Sequence, residues 1–180
     1  MRVCSISHFP PSLRHYSRAE FSLVKSGPKI YIPRMAYEFK AIRRVEFSET
    51  DMAGLMHFSN YFRFMETAEH AFFRSLGLSV FSRQTDPPAG WPRVHAECDY
   101  KTPLHFGDEV EIHLLVREKK PKALSYLFKF RKLNATPPLE VARGVLTVVY
   151  VRLEGGMMKA CAMPKSASDK IQLAPPELLR

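Results

Sequence analysis

Hydrophobic and polar residues alternate from Tyr37 onward. Tyr37, Phe39, Ala41, Val45 and Phe47 fall on one parity, and Glu38, Lys40, Arg44 and Glu46 on the other. A period of two predicts a half-buried strand, interrupted on its apolar side by Arg43. A polar turn follows at Ser48-Glu49-Thr50-Asp51, and then Gly54. The period next changes to that of a helix. Phe58, Tyr61, Met65, Ala68, Phe72 and Leu76 recur at three- and four-residue spacing, and Phe62, Phe64 and Phe73 widen the stripe. Ser59 or Asn60 suits the start of this helix and Gly77 the position just past its end. A face this broad and apolar must be wrapped by other elements.

The rest of the chain supplies strands. Val94, Ala96, Cys98 and Tyr100 alternate with polar neighbours, as do Val110, Ile112, Leu114 and Val116, and then Leu124, Tyr126, Phe128 and Phe130. Residues 141–152 are apolar on both parities, the pattern of a central strand, and Gly155-Gly156 ends it. A short helix is expected after Pro164. One strand, one long helix and a meander of four strands predict an α+β architecture, with the helix packed on one antiparallel sheet.

A chain of 180 residues with 46% hydrophobic content suits one domain with a real core. Its longest apolar run, Val145 to Val151, is far short of the ~20 residues of a membrane-spanning helix. Cys4, Cys98 and Cys161 are scattered and suggest neither a disulfide framework nor a metal site, so reduced intracellular thiols are expected. The net charge of +9 raises the question of a polyanionic partner. Residues 1–34, however, carry six bases against one acid, a net of +5, and leave +4 to residues 35–180. This leading segment is rich in Ser and Pro, lacks a secretory apolar core and has no sustained periodicity. It reads as a flexible basic extension, with import into an organelle as the alternative to a cytoplasmic protein. The folded domain is expected over residues 35–173, with a tail at 174–180.

The run Val45-Glu46-Phe47-Ser48-Glu49-Thr50-Asp51-Met52-Ala53-Gly54-Leu55-Met56-His57-Phe58-Ser59-Asn60-Tyr61 resembles the signature of hotdog-fold thioesterases of the 4-hydroxybenzoyl-CoA thioesterase type. A second landmark of that family, a proline followed by a Gly-Asp turn, is matched at Pro103 and Gly107-Asp108. The resemblance spans about Tyr37 to Val151 in the same element order. It implies the hotdog fold, a long central helix wrapped by a curved antiparallel sheet, and hydrolysis of acyl-CoA to free acid and coenzyme A without a cofactor. A homodimer or homotetramer follows from the same resemblance. Asp51 matches the family's catalytic aspartate, and the Phe58 amide matches its oxyanion donor.

The residues themselves support that chemistry. A carboxylate between the first strand and the buried helix can attack a thioester carbonyl or deprotonate a water for the attack. The helix N-terminus beyond it supplies unpaired N–H groups and a positive dipole end for the oxyanion. Gly54 leaves the backbone open to close approach by substrate, and Tyr61 adds to the binding surface. A thiol leaving group with a pKa near 8.5 departs without a strong general acid. His57, where relatives carry other aromatics, and Glu66, at a family position that is often acidic, are the further catalytic candidates; helix-entrance packing and an ordinary helix ion pair are their structural alternatives.

The basic run Arg117, Lys119, Lys120 and Lys122 lies at a strand–strand turn, the region that in the family faces the nucleotide end of coenzyme A, where Lys and Arg suit phosphates. The remaining histidines show no metal-ligand spacing, so no metal is expected. Two alternatives to an acyl-CoA thioesterase stand: an acyl carrier protein thioesterase, whose acidic partner the domain's positive balance would suit, and an acyl-CoA-binding protein without hydrolysis. Nucleic-acid binding would need bases clustered with stacking aromatics, and no such cluster stands out.

Overall fold

The computed structural model describes residues 36–180. The extension assigned to residues 1–34 lies outside the described residues. The elements are β1 (Glu38–Arg44), α1 (Ser59–Ser75), β2 (Phe81–Ser82), β3 (Ala89–Gly90), β4 (Arg93–Tyr100), β5 (Glu109–Lys119), β6 (Ala123–Lys132), β7 (Leu139–Val149), β8 (Val151–Glu154), β9 (Met157–Ala160) and α2 (Lys165–Ser168), with 3-10 turns at Phe47–Glu49 and Pro176–Leu178. The main sheet is antiparallel throughout, in the order β1-β5-β6-β7-β4. It wraps α1, and the α+β hotdog architecture expected from the sequence is the one observed.

The core forms where the helical stripe meets the inward parity of the sheet. From α1 it takes Tyr61, Phe64, Met65, Ala68, Phe72 and Phe73, all buried. Across β6 and β7 the register sets Phe130 opposite Ala142, Phe128 opposite Gly144 and Tyr126 opposite Leu146, a large side chain facing a smaller one on each rung. Gly144 also makes room for the helix. A Cβ there would run into the Met65 thioether and come within 3.3 Å of the Glu97 carbonyl. The C-terminus of α1 closes as predicted. Gly77 has φ +65°, its amide donates to the Arg74 carbonyl at 3.0 Å, and the Leu78 amide donates to the Phe73 carbonyl at 2.8 Å.

Several expectations are corrected. Phe47 sits in the 3-10 turn and is exposed, because β1 ends at Arg44 and the alternation does not continue through it. Arg43 occupies the apolar parity without breaking the strand. Its guanidinium lies 4.4 Å from the Phe64 ring centre and bonds the Glu49 carboxylate at 2.9 Å. Strand β4 is not half buried. Val94 and Tyr100 are exposed, because β4 is the sheet edge and has only β7 beside it. The central run over residues 141–152 is two strands, β7 in the main sheet and β8 in a second sheet of order β2-β3-β8-β9. Gly155-Gly156 is then the turn of the β8–β9 hairpin. The segment from Ala174 is also part of the packed body. Ala174, Leu178 and Leu179 cover Leu115, Leu127 and Val145 on the outer face of the main sheet.

Candidate active site

The chain between β1 and α1 is organised by hydrogen bonds spanning only a few residues. The Thr50 hydroxyl donates to the Phe47 carbonyl at 2.8 Å, and the Gly54 amide to the Asp51 carbonyl at 3.0 Å. Asp51 then folds its side chain over its own turn. Oδ1 accepts the Ala53 amide at 2.8 Å and the Leu55 amide at 3.2 Å, while the Asp51 amide donates to the Leu55 carbonyl at 2.8 Å. Two fixed donors on one oxygen hold the carboxylate in one orientation and leave Oδ2 without a partner among the described residues. Gly54 has φ +75°, and nothing lies within 4 Å of the position a Cβ would take. The glycine is therefore required by its left-handed backbone rather than by crowding.

Past Leu55 the chain is tied to both sides of the fold. The Met56 amide donates to the Leu104 carbonyl at 2.7 Å, and the His57 amide to the Glu49 carbonyl at 2.9 Å. The next amide, that of Phe58, has no acceptor among the described residues. It stands immediately before α1, whose first-turn amides of Asn60 and Tyr61 bond the carbonyls of His57 and Phe58. A free N–H at the positive end of a helix is suited to an oxyanion.

Asp51, Phe58 and Tyr61 line one cleft of about 390 Å³, together with Leu55, Tyr100 and Lys101. Tyr100 reaches across from the end of β4, its ring 5.0 Å edge-on from Tyr61 and its hydroxyl 3.4 Å from the Phe58 carbonyl. Burial holds the Tyr61 phenol far above its ordinary range, so it stays un-ionised. The sequence reading assigned Tyr100 to a strand and gave it no place at the site. Its contact with Phe58 spans 42 residues, and no local pattern carries it.

The other candidates lie elsewhere. His57 does not line the cleft. Its Nδ1 sits 2.8 Å from the Ser59 hydroxyl and accepts the Ser59 amide at 3.4 Å, so the ring caps the entrance of the helix. Ser59 and Asn60 do not act as N-caps; the Asn60 side chain donates to the Glu49 carbonyl at 2.7 Å instead. Glu66 is eight residues beyond Phe58, about 12 Å along the helix axis. It pairs with Arg93 at 3.1 Å and lies 3.8 Å from His70. The basic run does not act as a unit. Lys119 spends its ammonium on the carbonyls of Ser168 and Ile171, at 2.6 and 2.9 Å, and Lys120 pairs with Glu118 at 3.0 Å. Arg117 and Lys122 remain exposed without an ion pair among the described residues.

A second polar cluster was missed. Glu69, next to the Met65–Phe72 stripe, is 1% exposed and bonds Arg93 at 2.7 Å. Burial raises its carboxyl to about 7 against the opposing pull of Arg93. The signal was present as an acid at helical spacing from Met65, Phe72 and Phe73; its partner, 24 residues away, was not.

Residues 45–176 match the family model of the thioesterase-like superfamily. A 1,4-dihydroxy-2-naphthoyl-CoA hydrolase of Synechococcus sp. (strain CC9311) is 29% identical over 130 residues, covering 68% of this chain and 82% of that protein. A putative esterase of Aquifex aeolicus (strain VF5) is 43% identical over 76 residues, which is 42% of this chain and 59% of its own length. Among solved structures, a gentisyl-coenzyme A thioesterase superposes with a TM-score of 0.61 at 32% identity, covering 72% of this chain and 98% of that one. The chain therefore belongs to the thioesterase-like superfamily, within the hotdog-fold acyl-CoA thioesterases.

Proposed function

We propose that Asp51 is the catalytic carboxylate for hydrolysis of an aromatic acyl-CoA, with the Phe58 amide as oxyanion donor. The observation that carries this reading is the pairing of an unbonded Asp51 Oδ2 with an unbonded Phe58 N–H in residues lining one cleft. The thioester carbonyl carbon is attacked either by Oδ2 or by a water that Oδ2 deprotonates. Negative charge develops on the carbonyl oxygen against the Phe58 amide, and the C–S bond breaks as the tetrahedral centre collapses. Coenzyme A leaves as a thiolate, which takes up a proton; on the water route the free acid is formed at once, and on the Oδ2 route a mixed anhydride on Asp51 is then hydrolysed by water to the acid and the regenerated carboxylate. Gly54 provides the turn that orients Asp51. Tyr61 and Tyr100 form an aromatic wall suited to a flat acyl group, and two of the similar proteins named above are a 1,4-dihydroxy-2-naphthoyl-CoA hydrolase and a gentisyl-coenzyme A thioesterase.

The working form is proposed to be a homodimer. The edge strand β4 leaves one row of backbone groups without a strand partner, and a second copy would pair it. Arg117 and Lys122 are assigned to the coenzyme A phosphates, whereas Lys119 and Lys120 are already committed.

The test is a panel of benzoyl, 4-hydroxybenzoyl, 1,4-dihydroxy-2-naphthoyl and decanoyl thioesters of coenzyme A, assayed with wild type and Asp51→Asn. Turnover of aromatic esters that is lost in the variant supports the reading. Undiminished turnover in Asp51→Asn overturns it, as does turnover confined to decanoyl-CoA or absent from every ester of the panel. Label in the Asp51 peptide after single turnover in heavy-oxygen water identifies direct attack with the anhydride opened at the Asp51 carboxyl carbon, and trapping of the anhydride by hydroxylamine identifies direct attack when the anhydride opens at the acyl carbon.

A further inference from the structure

Arg43 stands on the inward parity of β1, between Ala41 and Val45, where the pattern calls for an apolar residue. A charge on an apolar face is costly unless it is well partnered, so its presence there calls for a reason. Its guanidinium carbon is 4.4 Å from the Phe64 ring centre on α1, and Nη2 donates to Glu49 Oε1 at 2.9 Å. Arg43 thus ties β1 both to the core face of the helix and to the 3-10 turn before Asp51. The Glu49 side chain is 15% exposed, and its second oxygen accepts the Glu46 amide at 2.9 Å. The Glu49 backbone carbonyl accepts both the His57 amide and the Asn60 side chain.

We infer that Arg43 is a positioning residue for the hydrolysis: through Glu49 it fixes where the Asp51 turn stands relative to the Phe58 amide. This rests on the roles proposed above for Asp51 and Phe58. The Asp51 carboxylate is oriented by the Ala53 and Leu55 amides of its own turn. Those bonds travel with the turn and do not set its place over the helix entrance. Placement comes from bonds that leave the turn. On one side the Met56 amide donates to the Leu104 carbonyl at 2.7 Å; on the other, Glu49 carries the links to His57 and Asn60. Among the described residues, Arg43 is the only side chain bonded to the Glu49 side chain. Without it a largely buried carboxylate loses its counter-charge and turns to water, which frees the Glu46 amide and slackens the 3-10 turn. A displacement of about 1 Å between reacting groups costs up to about a hundredfold in rate. Arginine suits the place because a planar cation can lie against the Phe64 ring while its N–H groups reach the carboxylate. Lysine would keep the charge and a single bond.

Arg43→Met, Arg43→Lys, Glu49→Gln and the double variant Arg43→Met with Glu49→Gln are compared with wild type on the aromatic ester that wild type turns over fastest. In Arg43→Met, kcat is expected to fall by about 10- to 100-fold while KM changes by less than about threefold. Arg43→Lys recovers most of the loss. The double variant is within about twofold of Arg43→Met, because both changes break the same bond. Amide hydrogen exchange read by NMR gives a measure that needs no turnover. The Glu46 and His57 amides exchange roughly tenfold faster in Arg43→Met, while the Leu127 amide in β6 keeps its wild-type rate and verifies the fold. Should Arg43→Met fail to fold, Glu49→Gln carries the same expectations for kcat, KM and exchange. Wild-type kcat in the folded variant, a loss confined to KM, losses that multiply in the double variant, or unchanged His57 exchange overturns the assignment. Undiminished turnover in Asp51→Asn, run alongside, overturns the catalytic reading beneath it. That failure is told apart because Asp51→Asn is otherwise impaired whatever Arg43→Met does.

Discussion

The Asn60 side chain donates to the backbone carbonyl of Glu49 at 2.7 Å, bridging eleven residues between the first turn of α1 and the 3-10 turn that precedes Asp51. The same carbonyl accepts the His57 amide at 2.9 Å, and the Glu49 carboxylate is held by Arg43 and by the Glu46 amide. Glu49 is thus the joint between the segment bearing Asp51 and the segment bearing the Phe58 amide. Asn60→Ala is expected to cost about 1–2 kcal/mol of stability and to lower kcat more than it raises KM. Asn60→Asp, which sets a carboxylate against a carbonyl, is worse on both counts. Urea unfolding and steady-state kinetics on the three proteins check the order.

Asp51 holds its own turn and is the proposed catalytic carboxylate, and two substitutions separate the roles. Asparagine keeps an Oδ1 that accepts the Ala53 and Leu55 amides, so Asp51→Asn folds with little change in Tm while turnover falls by about 10²–10⁴-fold. Asp51→Ala loses the turn as well and is less stable than Asp51→Asn by about 1 kcal/mol. Differential scanning calorimetry beside the kinetic assay reads both effects.

Asp108 gives stability that is lost in acid. Burial raises its carboxyl, but bonds from Lys132 at 2.9 Å, the His105 amide at 2.8 Å and Asn134 at 3.2 Å outweigh this and hold it below the ordinary carboxylate range. A depressed folded value means that the contribution is present above pH 4 and disappears as pH falls through the folded value. Asp108→Ala is expected to cost about 3 kcal/mol at neutral pH. Asp108→Asn should flatten the acid limb of a plot of stability against pH.

Glu69 acts with the opposite sign. Its folded value of about 7, set by burial, lies above the ordinary 4.5. Folding therefore favours the protonated acid, and stability falls as pH rises from about 4.5 to about 7, by about 3 kcal/mol in all. Arg93, Glu66, His70 and the Tyr126 hydroxyl are the polar groups around it. Glu69→Gln removes this dependence, so the variant gains on wild type at pH 8 relative to pH 5 in paired urea titrations. A wild-type profile already flat between those values would contradict the assignment.

Gly144 is a steric prediction. Gly144→Ala forces Met65 aside and crowds the Glu97 carbonyl, at a cost of about 1–3 kcal/mol, and Gly144→Val costs more. Thermal unfolding of the two variants tests the order.

Local pattern determined a great deal of this protein. The helical stripe from Phe58 to Leu76 became α1 at Ser59–Ser75, and Gly77 closed it, because both signals lie within one or two turns of chain. The Asp51 turn was legible for the same reason: its hydrogen bonds reach no further than Leu55. Tertiary structure decided which groups meet across the chain. It sent Lys119 to the Ser168 and Ile171 carbonyls, gave Glu66 and Glu69 to Arg93, brought Tyr100 to Phe58, and built a second sheet from strands as short as the pairs Phe81–Ser82 and Ala89–Gly90. Periodicity records which face of an element avoids water. The partner of a charge or of a strand edge is set by proximity that arises only once the chain has closed around α1, so the Asp51 turn was readable in sequence and the pairing of Glu69 with Arg93 was not.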